Sequence, residues 1–330
     1  MTHLRYFTIS ILIVPLPILL GFLFAGSEYY YRLSSSFEDV LLDRQFTAEG
    51  INADIVFVGD SSLMTGVKPK AIQAATGMTA YSLSSSIFQF MAAGDHLVDS
   101  YLAKNRAPRL IVVYIAPWTR VNPPFAYPVE WEVGAKALVR NASLFDGAVF
   151  FARHPEVVLQ LPQDVWRRLT SRLDWQGNTY KRVVAGLEDE RGWFAMDGPV
   201  LRYPKRVLPD GCAPVPLPAR PDKEFIAAFR RRMMARNIAV ALYIAPTPDC
   251  ASFDTSAETA YAGIADDQPY RLPHRYFIDD RWRIHLTQEG AEANTKRVID
   301  FVKRFMAIDG IEASRREQTA GETENRNFGR

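Results

Sequence analysis

A pair of serines closing an apolar run, and a histidine preceded by two aspartates, are the residues of this chain best suited to covalent chemistry. The run Ile55-Val56-Phe57-Val58 ends in Gly59-Asp60 and delivers Ser61 and Ser62. A serine held at a strand end, near backbone N–H groups, attacks a carbonyl carbon once a base takes its proton. The segment "FIDDRWRIHLTQEGA" supplies the matching half, with Asp279, Asp280 and His285 just ahead of a helix that opens near Thr287 or Gln288. An imidazole base needs a carboxylate to orient it, and both groups stand here within a few residues. The competing expectation is plainer. Serines after a strand often cap the next helix, and a histidine at a helix start is often structural.

These residues need a scaffold that brings distant segments together. Ile55–Val58, Leu110–Ala116 and Ile238–Pro246 are continuous apolar runs, as expected of strands buried on both faces. Helical patterns fall between them, around Pro69–Thr76, Phe90–Lys104, Phe225–Asn237 and Gln288–Ile308. Strands alternating with helices predict an α/β chain with a parallel sheet covered on both sides. Ligands then gather beyond the carboxyl ends of the strands, where Ser61 would stand. The stretch 121–219 breaks the rhythm. It holds Trp131, Trp166, Trp175 and Trp193 with many prolines, and reads either as an inserted lid or partner surface, or as extra helical packing on the same core. The last residues, 309–330, carry almost no apolar content and are expected to be disordered.

The N-terminus sets the compartment. Residues Phe7–Ala25 carry no charge, and at 1.5 Å of rise per residue they match a bilayer's hydrocarbon thickness. Pro15 and Pro17 are tolerated in a lipid-spanning helix. Arg5 precedes the run, while Glu28 and the Tyr29-Tyr30-Tyr31 belt follow it. A single-pass anchor over residues 1–32 is expected, with the N-terminus cytoplasmic and the bulk of the chain periplasmic or extracellular. A cleaved signal peptide is the rival, but Leu23-Phe24-Ala25 is a poor cleavage site and either route exports the remainder.

Hydrophobic residues make up 48% of the 330 and charged residues 23%, which is ordinary for a globular body. The net charge of +2 and the scattered basic residues argue against nucleic acid as a partner, since that affinity requires many concentrated phosphate contacts. No phosphate-binding glycine loop, zinc spacing or EF-hand occurs, so no cofactor and no metal are expected. Cys212 and Cys250 are too few for a disulfide scaffold; one bridge between them and two free thiols are both open.

"IVFVGDSSLMTGV" resembles the first sequence block of the SGNH (GDSL-type) hydrolase superfamily, where Gly-Asp-Ser ends the first strand. "DDRWRIHLTQEGAEANTKRVIDFV" is similar to that family's last block. The resemblance spans 54–118 and 225–307 but not the Trp-rich middle. It implies a three-layer αβα sandwich with a flavodoxin-like parallel sheet over residues 33–308, Ser61 as nucleophile and His285 as base. Trp282 occupies the usual acid position, so the acid is Asp280 or Asp279, or the site is a Ser-His dyad. In the second block "AYSLSSSIF" lacks the usual Asn and Gly, leaving Ser84 and Ser85 with the Ser61 backbone as the oxyanion-hole candidates. The third block's Gly-x-Asn-Asp is replaced by "YIAPWTRVN", where Asn122 is off the matching spacing.

What the resemblance implies is a membrane-anchored, extracytoplasmic serine acyl-transfer enzyme, an esterase or O-acyltransferase. Its partners would be an acyl donor, a glycan acceptor of the envelope or an exopolysaccharide, and a membrane-bound O-acyltransferase. The alternative is a non-catalytic SGNH-like protein that binds glycan or acts as a scaffold in polysaccharide modification.

Overall fold

The structure is a computed structural model that describes residues 15–84, 94–116, 144–153, 155, 160, 162–163, 165–166, 174–195, 201, 223–250, 265–268, 270–279 and 285–327. Its centre is a four-stranded, wholly parallel sheet: β1 (Ile55–Gly59), β2 (Ala80–Ser84), β3 (Leu110–Ile115) and β4 (Ala239–Ile244), in the order β2-β1-β3-β4. Ser82 and Ser84 disguise β2, a strand that the apolar runs do not reveal.

Side chains alternate across the sheet, and each face buries its own cluster. Val56, Val58, Ile111, Val113 and Leu242 point to one side. They meet helices α3 (Phe37–Phe46), α6 (Gly94–Lys104), α8 (Asn178–Glu190) and α9 (Lys223–Met234) through Leu41, Tyr101, Val183 and Phe229. Ile55, Phe57, Leu110, Val112 and Tyr243 point to the other. There α5 (Pro69–Thr76) and α10 (Gln288–Asn327) cover them with Ile72, Val298, Phe301 and Val302. Burial on both faces explains why three of the strands read as unbroken apolar runs. The remaining described elements are α1 (Pro15–Ala25), α2 (Glu28–Leu33), α4 (Ser61–Gly66), α7 (Leu144–Arg153), a two-residue pair β5 (Thr247–Pro248) and β6 (Arg271–Leu272), and a 3-10 turn at His274–Tyr276.

Several expectations meet the structure here. Helix α8 and Phe194, within the Trp-rich stretch, join the same core cluster as the strands, so this part is added packing on the body. Helix α10 runs on to Asn327, past the Ile308 at which the helical pattern is expected to end. Among the described residues no helix is long and apolar enough to cross a membrane. The expected anchor lies partly outside them: α1 is its final eleven residues, and residues 1–14 are not described.

The amino ends of β1 and β2 are pinned by Asp54, whose carboxylate accepts from Thr79 N at 2.9 Å, Thr79 Oγ1 at 2.7 Å and Arg106 at 2.8 Å. The Thr79 hydroxyl, helped by the Thr79 backbone and Arg106, holds the Asp54 carboxyl below its ordinary value of 3.8. A carboxyl depressed in this way contributes stability that is complete above its unfolded value and disappears as pH falls through the folded one. Stability is therefore expected to decline below about pH 4. In Asp54→Asn that acid-side decline should be shallower in denaturant midpoints measured across pH; an unchanged slope would count against this assignment.

Candidate active site

In a sheet ordered β2-β1-β3-β4 the chain leaves β1 toward one side and resumes at β3 on the other. The crevice between the carboxyl ends of β1 and β3 is the switch point, where ligands bind in parallel α/β sheets. Ser61 stands at this point as the first residue of α4.

Gly59 makes the geometry possible. It pairs with Ser84 on one side and Tyr114 on the other, and a Cβ there would sit 1.9 Å from the Tyr114 carbonyl oxygen. Only glycine fits. Asp60 then caps α4: its carboxylate accepts from Ser62 N at 2.9 Å and from the Ser62 hydroxyl, while its other oxygen accepts from Ala116 N at 3.1 Å. The capping side chain thus ties the end of β1 to the end of β3 across the crevice. Leu63 and Met64 donate to the Asp60 carbonyl, at 3.1 and 3.2 Å. Among the described residues the Ser61 N–H has no such acceptor, as befits a first-turn donor. On the neighbouring rung Ser84 is fully buried, and its Oγ has no hydrogen-bond partner among the described residues. Ser62 is committed to Asp60 and 1% exposed, which leaves Ser61 as the reactive candidate of the two.

His285 comes from the far end of the chain. Phe277 and Leu286 form an antiparallel bridge, Ile278 N donates to the His285 carbonyl at 2.9 Å, and Thr287 N donates to Tyr276 O at 2.8 Å. This short hairpin presents His285 immediately before α10, as the sequence predicts. Asp279 stands one residue past the Ile278 rung and is partly exposed. Asp280 and Trp282 lie outside the described residues, as do Ser85 and Asn122. Gly290 locks the hairpin to the helix, since a Cβ there would lie 2.4 Å from Tyr276 O.

Two sets of contacts hold α4 and α10 together. Asn294, fully buried in α10, donates through Nδ2 to Gly66 O at 2.7 Å, 228 positions away in the chain, and to the Tyr114 hydroxyl at 2.9 Å. Its Oδ1 accepts from the Tyr270 hydroxyl. Burial pushes the Tyr114 and Tyr270 phenols up, so both remain protonated hydrogen-bonding groups at any working pH. Leu286, next to His285, approaches within 3.4 Å of a Cβ built on Gly66. On the rim, Lys68 N donates to Thr295 Oγ1 at 3.0 Å, and Lys68 Nζ pairs with Glu292 at 2.8 Å. Ser61 and His285 are each 7% exposed.

Trp193 is a site residue that sequence reasoning left in the insertion. Its indole Nε1 donates to Thr65 O at 2.9 Å, and the next residue, Phe194, donates through its N–H to Met64 O at 3.0 Å. These bonds satisfy carbonyls at the end of a helix too short to satisfy its own. The ring also packs against the cluster of Phe277, Leu286 and Ala291, and Lys68 Nζ lies 4.6 Å over it. It therefore joins the helix that carries Ser61 to the cluster formed by the His285 hairpin and the start of α10. Trp193→Phe keeps an aromatic ring but deletes the donor and part of the indole's packing, and should cost about 1 kcal/mol or more. Denaturant midpoints check this, and an unchanged midpoint contradicts it.

One other cluster could be mistaken for a metal centre. Ligand atoms of Asp249, Cys250 and His274 lie within 4.8 Å of one another. However, Cys250 is disulfide-bonded, which removes the thiolate a metal would need. The chain's other cysteine is Cys212, outside the described residues. His274 Nδ1 lies 3.0 Å from Asp249 Oδ1, and its backbone N–H donates to the same oxygen at 2.9 Å. These bonds brace the loop after β5.

What the fold defines is an α/β chain built on a parallel four-stranded sheet, with Ser61 just past the carboxyl end of β1 and His285 immediately ahead of α10. No protein-family model, no curated protein and no solved structure matches it.

Proposed function

We propose that this protein is a membrane-anchored, extracytoplasmic acyl-transfer enzyme of SGNH type, with Ser61 as nucleophile and His285 as base, acting on a glycan of the cell envelope or an exopolysaccharide. The observation that carries the reading is the junction of α4 and α10 through Asn294, Gly66 and Leu286, which holds the Ser61 helix against the His285 hairpin. The sheet order β2-β1-β3-β4 agrees with a flavodoxin-like sandwich. The disulfide at Cys250 agrees with an oxidising exterior, as an anchor over Phe7–Ala25 would require.

His285 takes the Ser61 proton as Oγ attacks the acyl carbonyl carbon. The carbonyl electron pair moves onto oxygen, which the Ser61 N–H stabilises, with Ser84 and Ser85 beside it. Collapse expels the donor's leaving group with the proton from His285. A sugar hydroxyl or water then gives its proton to His285 and attacks the acyl-serine; as the acyl–Oγ bond breaks, His285 passes that proton to Ser61 Oγ, releasing the acylated product and free Ser61. Asp279 or Asp280 orients the imidazole, and a Ser-His dyad is the form without either. A multispanning O-acyltransferase is a fitting acyl source.

A non-catalytic glycan-binding or scaffold role is favoured by one feature. At the end of β3, where the family carries an asparagine donor, Ala116 offers only a backbone N–H, and that is spent on Asp60.

The full chain in detergent micelles, given an activated acyl ester with and without a soluble glycan, tests the proposal. His285→Ala is expected to reduce ester turnover by roughly 10³-fold or more. Equal turnover by the variant and the wild type would favour the scaffold.

A further inference from the structure

Four leucines of α1, Leu16, Leu19, Leu20 and Leu23, follow the one-face spacing of a helix and are 48, 54, 46 and 62% exposed. The helix's other side is not bare. Phe22 meets Phe151 of α7 edge to face, with ring centroids 5.4 Å apart. A Cβ on Gly21 would lie 2.8 Å from Pro162 Cβ and 3.5 Å from Trp166 Nε1. Phe151, Pro162 and Trp166 therefore lie along the last turns of the expected anchor. The outer face there is apolar as well: Phe145 is 75% exposed, Trp166 is 41% exposed, and Ala148 and Ala152 share the exposed side of α7 with Phe145.

Depth follows from helix geometry. If the apolar span ends at Ala25, Gly21 lies roughly 6 Å below that end, and Phe151, Pro162 and Trp166 are at its level. Interfacial helices sit about 5–10 Å into the headgroup and acyl boundary, and tryptophan is favoured there. A face of this composition at this depth meets lipid rather than water.

We infer that α7, together with Trp166, forms a second membrane-contacting element, lying in the outer interface beside the anchor with Phe145 and Trp166 in the acyl boundary. The domain is then seated on the bilayer at two places rather than tethered at one. This inference rests on the anchor proposed above. It places the body close enough to the membrane to take an acyl group from a lipid-embedded source.

Depth-dependent fluorescence quenching separates the two claims. The full chain, with its native disulfide intact, carries an environment-sensitive nitrobenzoxadiazole dye at Phe145→Cys, at Ala148→Cys as a second probe of the same face, or at Leu19→Cys in the anchor. Each is reconstituted into phosphatidylcholine–phosphatidylglycerol vesicles containing nitroxide lipids. Loss of emission at all three positions, strongest with shallow nitroxides for Phe145→Cys and Ala148→Cys, is expected. Quenching at Leu19→Cys alone overturns the inference and leaves the anchor standing. No quenching at Leu19→Cys overturns both. A blue shift of the Phe145→Cys dye that grows with protein concentration in lipid-free micelles assigns the face to a second copy and also overturns the inference.

Discussion

Ser61→Ala is expected to lower acyl-ester turnover by about 10⁴–10⁶-fold, the scale seen when a serine nucleophile is removed from a working set. The loss should appear in kcat rather than KM, because the hydroxyl forms its bond only after substrate has bound. Stability should barely move. The capping of α4 rests on Asp60, Ser62 and the Asp60 carbonyl, and none of these bonds uses the Ser61 side chain. Circular dichroism and a thermal scan on the same sample check that half. Ser62→Ala behaves in the opposite way: it deletes an Asp60 bond and keeps the nucleophile, so turnover persists while the melting temperature falls by a few degrees. A variant pair that failed to separate in this manner would dissolve the distinction between the two serines.

Asn294→Leu carries the largest structural effect. The amide has both of its donors and its acceptor engaged, with Gly66 O, Tyr114 and Tyr270, and the residue is fully buried. Leucine has a similar size but deprives Gly66 O and the Tyr114 and Tyr270 hydroxyls of this partner, and the expected cost is about 3 kcal/mol, or roughly 6–12 °C in melting temperature for a domain of this length. Glu292→Gln is the matched control, since Glu292 links α10 to the same loop through Lys68 from a side chain that is 58% exposed. Such a surface pair contributes less than about 1 kcal/mol. Because Asn294 touches neither reacting group, its loss should also lower turnover through misplacement of His285, where Glu292→Gln leaves turnover intact. Equal effects of the two variants would show that the buried amide is not what joins the elements.

Legibility followed the physical code that each feature uses. Strands β1, β3 and β4 showed in the sequence because burial on both faces demands unbroken apolar runs. Strand β2 escaped because Ser82 and Ser84, buried as fully as any valine, carry the polar character of a loop. The start of α10 was visible in Thr287-Gln288, and its end was not, since the stripe that predicts packing stops near Phe305 while the helix continues to Asn327. Ser61 and His285 were singled out as candidates from type and position. Asn294 and Trp193 were not, because one amide inside a helix or one indole in an irregular stretch has no periodicity to betray it. Their partners are backbone carbonyls, which every residue has, so nothing in composition or spacing points to them. The disulfide at Cys250 was left open for a related reason: two cysteines in proline-rich loops specify no distance.

Peptide mapping of the full chain after reaction with a fluorophosphonate tests the central claim most directly. The phosphonyl mass should lie on Ser61, and His285→Ala should slow its appearance by orders of magnitude. A folded wild type that gains no adduct, or gains it on Ser62 or a serine far from the carboxyl edge of β1, would contradict the site.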